Sequence, residues 1–111
     1  MKIVNRIKAN DDFATTIKKG RAQRDQSYVI HYNTNSLNYT RVGISVSSKL
    51  GNAVVRNHIK RQIRSMCDEL IDYENQSLDI VIVAKQGFLN YSYDDNKESL
   101  NKLLNFVDRK N

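Results

Sequence analysis

The seven residues Leu78–Ala84, LDIVIVA, constrain the fold of this chain more than any other stretch. An apolar run of this length between polar flanks is typical of a β-strand that is covered on both faces. Such a strand lies inside a sheet, with other elements packed above and below it. The sequence therefore predicts a layered fold around a central strand.

Two more strands are predicted upstream, at residues 27–33 and 39–47, because both stretches are rich in aromatic and β-branched residues. The polar residues between them suit a hairpin, which would make the two strands neighbours. The second strand alternates apolar residues with small or polar ones, so one face packs on a core and the other can form the floor of a groove. The apolar set is Val42, Ile44 and Val46, and the other set is Arg41, Gly43, Ser45 and Ser47.

Helix signals flank these strands. Asn10 as N-cap, two acidic residues after it and Gly20 as the stop predict a first helix at residues 11–19. A capping-box pattern at residues 92–95 precedes apolar residues at helical spacing and predicts a terminal helix. Cap and dipole account for Asp94, Asp95 and Glu98, so we expect neither metal ligands nor a catalytic carboxylate pair there. The apolar residues are Leu100, Leu103, Leu104 and Val107.

These elements predict an α+β fold in one domain, residues 1–111. The chain has 111 residues, no proline, no repeat and no linker, which is typical of a single compact domain. The lone Cys67 excludes an internal disulfide, and its position beside an apolar helix face indicates a packed thiol. The N-terminal segment has no signal-peptide core and no apolar run could span a bilayer, so we expect a cytoplasmic protein.

The segment GNAVVRNHIKRQIRSM, residues 51–66, contains four basic residues and no acidic one. On a helical wheel its basic residues and one asparagine fall within about 140°, opposite an apolar arc. Like charges on consecutive turns repel, and a bound anion offsets that cost; the arginine fork matches phosphate geometry. We call this set the basic arc: Arg56, Asn57, Lys60, Arg61 and Arg64.

The charge distribution supports a polyanionic partner. Residues 1–64 hold 13 Lys and Arg against 3 Asp and Glu, whereas the whole chain carries a net charge of +6. A field of one sign favours nucleic acid first and an anionic membrane surface second, and the remaining alternative is charge that serves solubility only. Lys49 and Asn52 lead into the N-terminus of the basic helix, whose free amides form a second anion site.

The stretch RVGISVSSKLGNAVVRNHIKRQIR, residues 41–64, resembles the signature of the bacterial ribonuclease P protein subunit, the small basic partner of a catalytic RNA. Weaker similarity in NDDF, at Lys19 and Gly20, around Tyr28 and in DIVIVAK extends the resemblance over most of the chain. It implies a two-layer α/β sandwich of αβββαβα order, with a mostly antiparallel sheet of three to four strands. It also implies a left-handed βαβ crossover, although general rules favour a right-handed one.

The resemblance also implies roles for particular residues. The basic arc, with Lys49 and Asn52, is expected to bind the RNA subunit. A groove between the first helix and the sheet is expected to bind the single-stranded 5′ leader of precursor tRNA, although Ile17 and His31 stand where many relatives carry aromatics and Ser48 replaces a frequent lysine. The groove residues are Phe13, Ile17, Tyr28, His31 and Ser45.

The resemblance implies that the chemistry belongs to the RNA and its Mg²⁺ ions. Neither histidine has partners arranged for nucleophilic catalysis, so we predict no catalytic residue, no bound metal and no cofactor in the protein itself. The expected partners are the RNA subunit and the leader, with no DNA and no membrane. Two alternatives remain open: a ribosome-associated or other structured-RNA binding module, and an autonomous protein nuclease.

Overall fold

The computed structural model describes the backbone of residues 1–110 and the side chains of residues 1–107. Three helices and four strands make up the fold. Short 3₁₀ turns lie at Ile3–Asn5, Ser48–Leu50 and Gln86–Asn90. In chain order the main elements are α1 (Asn10–Lys19), β1 (Arg21–Arg24), β2 (Tyr28–Thr34), β3 (Arg41–Val46), α2 (Ala53–Leu70), β4 (Leu78–Ala84) and α3 (Tyr93–Lys110).

The four strands form one sheet in the order β1-β2-β4-β3. β4 lies inside the sheet, antiparallel to β2 and parallel to β3, and six of its seven residues are buried. The prediction of a central, doubly covered strand is thus confirmed, as are the α+β class and the mostly antiparallel sheet. The handedness of the β3–α2–β4 connection stays a prediction.

The predicted hairpin between β2 and β3 is wrong, because β4 lies between these two strands. The segment between β2 and β3 does not form a hairpin turn. Instead, the amide of Asn35 donates to Ser77 and that of Thr40 donates to Tyr73, at 2.9 and 2.7 Å, in the segment that leads into β4. The apolar β4 gains most from burial on both faces and therefore occupies the inner position. β1 pairs with β2 at the sheet edge. The αβββαβα order that the resemblance implies includes such a strand, but the sequence analysis assigned no residues to it.

One face of the sheet packs against α2 and α3 and forms the core. Val42 and Val46 of β3 are buried there and Ile44 packs against the same cluster, which confirms the predicted alternation. The sheet and these two helices form the predicted two layers. α1 crosses the opposite face as a partial further layer. The core residues of the helices include Ile59, Ile63, Met66, Cys67, Leu100, Leu103, Leu104 and Val107.

Helix ends follow the predictions in part. Ser92 Oγ accepts a hydrogen bond from the Asp95 amide at 3.1 Å, which confirms the N-terminal cap of α3. α1 begins at Asn10 with Ala9 as its N-cap, so the prediction that Asn10 caps the helix is wrong. Gly20 is the C-cap of α1, as predicted. A Cβ there would lie 2.5 Å from the carbonyl oxygen of Tyr32, so a larger residue does not fit without a shift of the backbone.

Cys67 is fully buried, as predicted, and burial raises the pKa of its thiol to about 12. Within residues 1–110 no helix combines the length and the hydropathy that crossing a bilayer requires.

The polar layer between α3 and the sheet is built on Asn96, which accepts a hydrogen bond from Ser27 Oγ at 2.7 Å and donates to the Phe88 carbonyl at 2.9 Å. These bonds fix α3 against the start of β2.

Candidate nucleic-acid interface

Helix α2 turns one face into the core and the opposite face outward. Ile59, Ile63 and Met66 are at most 2 % exposed, which places the apolar arc of the wheel against the sheet and α3. An amphipathic helix that buries one stripe must present the other to solvent. The basic arc therefore lies at the surface, as predicted, with Asn57 and Arg61 exposed and Arg56, Lys60 and Arg64 half-buried.

The cations of the basic arc have no acidic partners among the described side chains. Among the side chains of residues 1–107, no carboxylate oxygen lies within 4.0 Å of their charged nitrogens, whereas ion pairs form elsewhere on the surface. The Nε–H of Arg56 is shielded from solvent and donates to no acceptor within the same residues. A shielded N–H without an acceptor is costly, so a rotation of the Arg56 side chain that lets it donate to an anion would be favoured.

The N-terminus of α2 is built as expected for an anion site. Asn52 is the N-cap and its side-chain oxygen accepts from the Val55 amide at 3.0 Å, so Asn52 is occupied in shaping the helix start. The amides of Ala53 and Val54 precede the first helical hydrogen bonds. Lys49 is exposed in the 3₁₀ turn just before this point. Backbone N–H groups and a cation thus meet at one end of the basic arc.

The entry into α2 depends on Gly51, whose φ of +151° lies where L side chains are strained. A Cβ there would also lie 2.8 Å from Cβ and Cγ1 of Val55. We expect Gly51→Ala to lower the free energy of unfolding by about 1–3 kcal/mol, measured by urea denaturation. Ser48→Ala in the same exposed turn is the matched control and should change it by less than about 0.5 kcal/mol. Equal stability of the two variants would contradict this account of Gly51.

The groove lies on the face of the sheet that α1 partly covers. The Phe13 ring sits on Gly43 so closely that a Cβ at residue 43 would be 2.4 Å from the ring Cζ. Phe13 and His31 are half-buried, and Ile17, one helical turn after Phe13 on α1, is 43 % exposed. Ser45 lies two residues beyond Gly43 on the same face and is half-buried. The structure thus brings four of the five predicted groove residues to one face.

The placement of Tyr28 in this groove is wrong. Tyr28 is 0 % exposed and lies on the opposite face, where its hydroxyl donates to the Asn96 carbonyl at 3.0 Å and its ring packs edge-on against Phe88. Burial raises the pKa of its hydroxyl well above the ordinary value. Tyr28 shares its parity along β2 with Ile30 and Tyr32, so strict alternation would have placed it in the core.

An ion-pair network holds α1 against the sheet beside the groove. Arg41 donates from Nε and Nη2 to the carboxylate of Asp79, at 2.9 and 2.6 Å, and from Nη1 to Asp12 of α1 at 3.2 Å. Asn35 donates to the same Asp79 at 2.9 Å. These bonds raise the pKa of Arg41, chiefly through Asp79. The network joins α1, β3 and β4, and sequence reasoning missed it because Asp79 is hidden within an apolar run.

Arg24 is a second residue that the sequence analysis missed. It lies opposite Val29 in the β1–β2 pairing, on the same sheet face as His31, and its side chain is exposed. Burial and the charge of Arg24 lower the pKa of His31. Because the sequence analysis assigned no residues to this edge strand, it gave no register and therefore no face for Arg24. Among residues 1–107, no group of three His, Cys, Asp or Glu side chains could hold a metal ion.

Comparisons with known proteins agree with this geometry. A family model described as Ribonuclease P matches residues 1–108. The ribonuclease P protein component of Mesoplasma florum is 46 % identical over 99 residues, which cover 88 % of this chain and 90 % of that protein. The relative from Bacillus cereus strain 03BB102 is 42 % identical over 101 residues, 90 % of this chain and 88 % of the other.

Solved structures show the same architecture. The Staphylococcus aureus RNase P protein is 36 % identical, covers 93 % of this chain and 94 % of its own, and superposes with a TM-score of 0.83. The Thermotoga maritima RNase P protein is 27 % identical, with a TM-score of 0.75 over 88 % of this chain and 94 % of its own. The agreement extends over nearly the whole of each protein.

Proposed function

The chain belongs to the ribonuclease P protein family, and we propose that it is the RNA-binding subunit of a ribonucleoprotein that removes the 5′ leader from precursor tRNA. The observation that carries this proposal is the basic arc of α2. Its cations face outward without acidic partners among residues 1–107, next to a helix N-terminus. Such a surface is suited to the phosphates of a structured RNA.

In this proposal the protein contributes binding and not chemistry. The catalytic RNA subunit, with its own Mg²⁺ ions, supplies the reaction as a ribonuclease P endoribonuclease. Lys49 and Asn52 contact the RNA subunit at the N-terminus of α2, and the basic arc contacts it along the helix. We place this complex in the cytoplasm.

The groove is proposed to bind the leader. Phe13 offers a half-buried ring above Gly43. His31 and Ser45 lie on the same sheet face, and Ile17 lies one helical turn after Phe13. Stacking of bases on an aromatic ring is tolerant of sequence and selects single strands. The leader would thus reach this protein at a face distinct from the one that holds the RNA subunit.

The alternative is a binding module for another structured RNA, such as a ribosomal one. The two are distinguished by titrating the protein with a bacterial ribonuclease P RNA and with a ribosomal RNA fragment of similar length and fold complexity. We expect binding to the ribonuclease P RNA that is at least about tenfold tighter at physiological salt. Equal affinities, or preference for the ribosomal fragment, would favour the alternative.

The groove assignment is tested with Phe13→Ala. If a leader base stacks on the ring, affinity of the reconstituted enzyme for leader-bearing precursor should fall by about 1–3 kcal/mol, while affinity for mature tRNA stays level. Thermal unfolding of the same variant is the control, since emptying a buried Phe site costs about 3–5 kcal/mol. A variant that melts far earlier and loses both tRNAs equally would make Phe13 a core residue.

A further inference from the structure

The cross-strand register sorts the groove face into rows that run across the sheet. Gly43, Val81 and His31 are partners across β3, β4 and β2, and this row lies under α1, with Val81 fully buried. The next row lies one step further along the strands. We call it the open row, and its members are Ser45, Val83, Val29 and Arg24.

The open row is the uncovered part of the groove floor. Ser45, Val83 and Val29 are half-buried, and Arg24 at the end of the row is exposed. Three gaps between neighbouring strands separate Ser45 from Arg24, which amounts to about 14 Å. At the Ser45 end, β3 leads directly through a turn to Lys49 and the N-terminus of α2. Arg24 therefore lies at one end of the row, and Lys49 follows four residues after the other end.

Arg24 forms no ion pair with the side chains that the structure describes. Its neighbour in sequence, Asp25, accepts from the amides of Ser27 and Tyr28, both at 2.9 Å, and from Ser99 Oγ. Among the described side chains no carboxylate lies within 4.0 Å of the Arg24 guanidinium. An exposed guanidinium at the end of a groove is suited to bind a phosphate bidentately.

We propose that Arg24 binds a leader phosphate, and that the leader crosses the sheet along the open row from β3 to β1. This inference rests on the proposed function. It adds the direction in which the leader crosses the sheet and the residue, Arg24, that it contacts at the end of the row. At the 3.4 Å spacing of a stacked strand, the 14 Å row holds about four nucleotides, and fewer in an extended strand. A leader shorter than the row therefore cannot reach Arg24.

The test uses the enzyme reconstituted with a bacterial ribonuclease P RNA, under conditions that block cleavage. The probes are a mature tRNA and two precursors, with leaders of one and about six nucleotides. We expect Arg24→Ala to weaken binding of the long-leader precursor by roughly five- to tenfold. Its log-log salt slope should fall by about 0.7, the value for one phosphate contact on a single strand. Binding of the short-leader precursor and of mature tRNA should stay unchanged.

Arg21→Ala is the matched control, because Arg21 is also an exposed arginine of β1 but lies on the other sheet face, opposite Tyr32. It should leave all three affinities unchanged. Equal losses in Arg21→Ala and Arg24→Ala, or an Arg24→Ala loss shared by mature tRNA, would overturn the proposal. If the wild-type protein bound all three probes equally, both the assignment of the leader to the groove and the Arg24 proposal would be wrong. A leader-dependent wild type with an unaffected Arg24→Ala variant would remove the Arg24 proposal alone.

Discussion

Replacing Arg56, Lys60 and Arg64 together by alanine will weaken binding of the ribonuclease P RNA by roughly 100- to 1,000-fold at moderate salt. The basis is a loss of at least about 1 kcal/mol for each charge-assisted hydrogen bond to phosphate. The salt dependence should flatten as well. Each lost phosphate contact removes about 0.7 to 0.9 from the log-log slope, so the triple variant should lose about 2 to 3.

The control for this experiment removes the same amount of charge elsewhere. Lys8, Lys18 and Lys19 are exposed, lie before or on α1, and have no carboxylate within 4.0 Å among the described side chains. Their triple alanine variant has the same net charge as the α2 variant. It should retain most of the affinity, and equal losses in the two variants would show that the protein binds RNA through its overall field only.

The stability of the free α2 variant should stay near that of wild type. Relief of repulsion between like charges at i,i+4 spacing stabilises the helix by a few tenths of a kcal/mol. Loss of the half-buried aliphatic stem of Arg56 opposes this gain. We therefore expect a change of less than about 0.5 kcal/mol in the free energy of unfolding, so that a binding loss can be assigned to the interface.

Arg41→Ala will lower the free energy of unfolding by about 3–5 kcal/mol, because it leaves the carboxylate of Asp79 buried with Asn35 as its remaining side-chain partner. The side chains of Arg41 and Asp79 are only 20 % and 12 % exposed, so solvent can replace the lost bonds only in part. Urea denaturation of the free protein measures this loss. The effect should exceed that of Gly51→Ala.

Asp12→Asn is the comparison variant, since it weakens only the bond from α1 to Arg41 and leaves the Arg41–Asp79 pair in place. The side chain of Asp12 is 43 % exposed, and a pair of this kind contributes at most about 1 kcal/mol. A stability loss in Arg41→Ala no larger than that in Asp12→Asn would contradict the view that the buried pair anchors β3 to β4.

The basic helix could be predicted from sequence almost completely. Its two faces follow from local periodicity alone, and Ile59 and Ile63 are buried while Arg61 is exposed, as the wheel requires. The central position of β4 was also predictable, because its composition requires cover on both faces. These features depend on residues close together in the chain.

The groove could be predicted only in part, because it depends on pairings between distant residues. Strand order was wrong for β2 and β3 since the competing partner, β4, follows them by more than 30 residues. The face occupied by Arg24 depends on its pairing with Val29, and the ion pair of Arg41 with Asp79 also joins distant segments. Tyr28 was misplaced because it was assigned to the groove from the resemblance alone. The alternation of side chains along β2 decides its face and places it in the core.

Reconstitution at low Mg²⁺ shows whether this protein assists an RNA enzyme in tRNA maturation. A bacterial ribonuclease P RNA is incubated with leader-bearing precursor tRNA, with and without the protein, and 5′ cleavage is followed; the protein without RNA is the third sample. We predict that the protein restores cleavage that the RNA alone does not perform at low Mg²⁺, and that the protein alone cleaves nothing. Unchanged cleavage on adding the protein, or cleavage by the protein without RNA, would contradict the account.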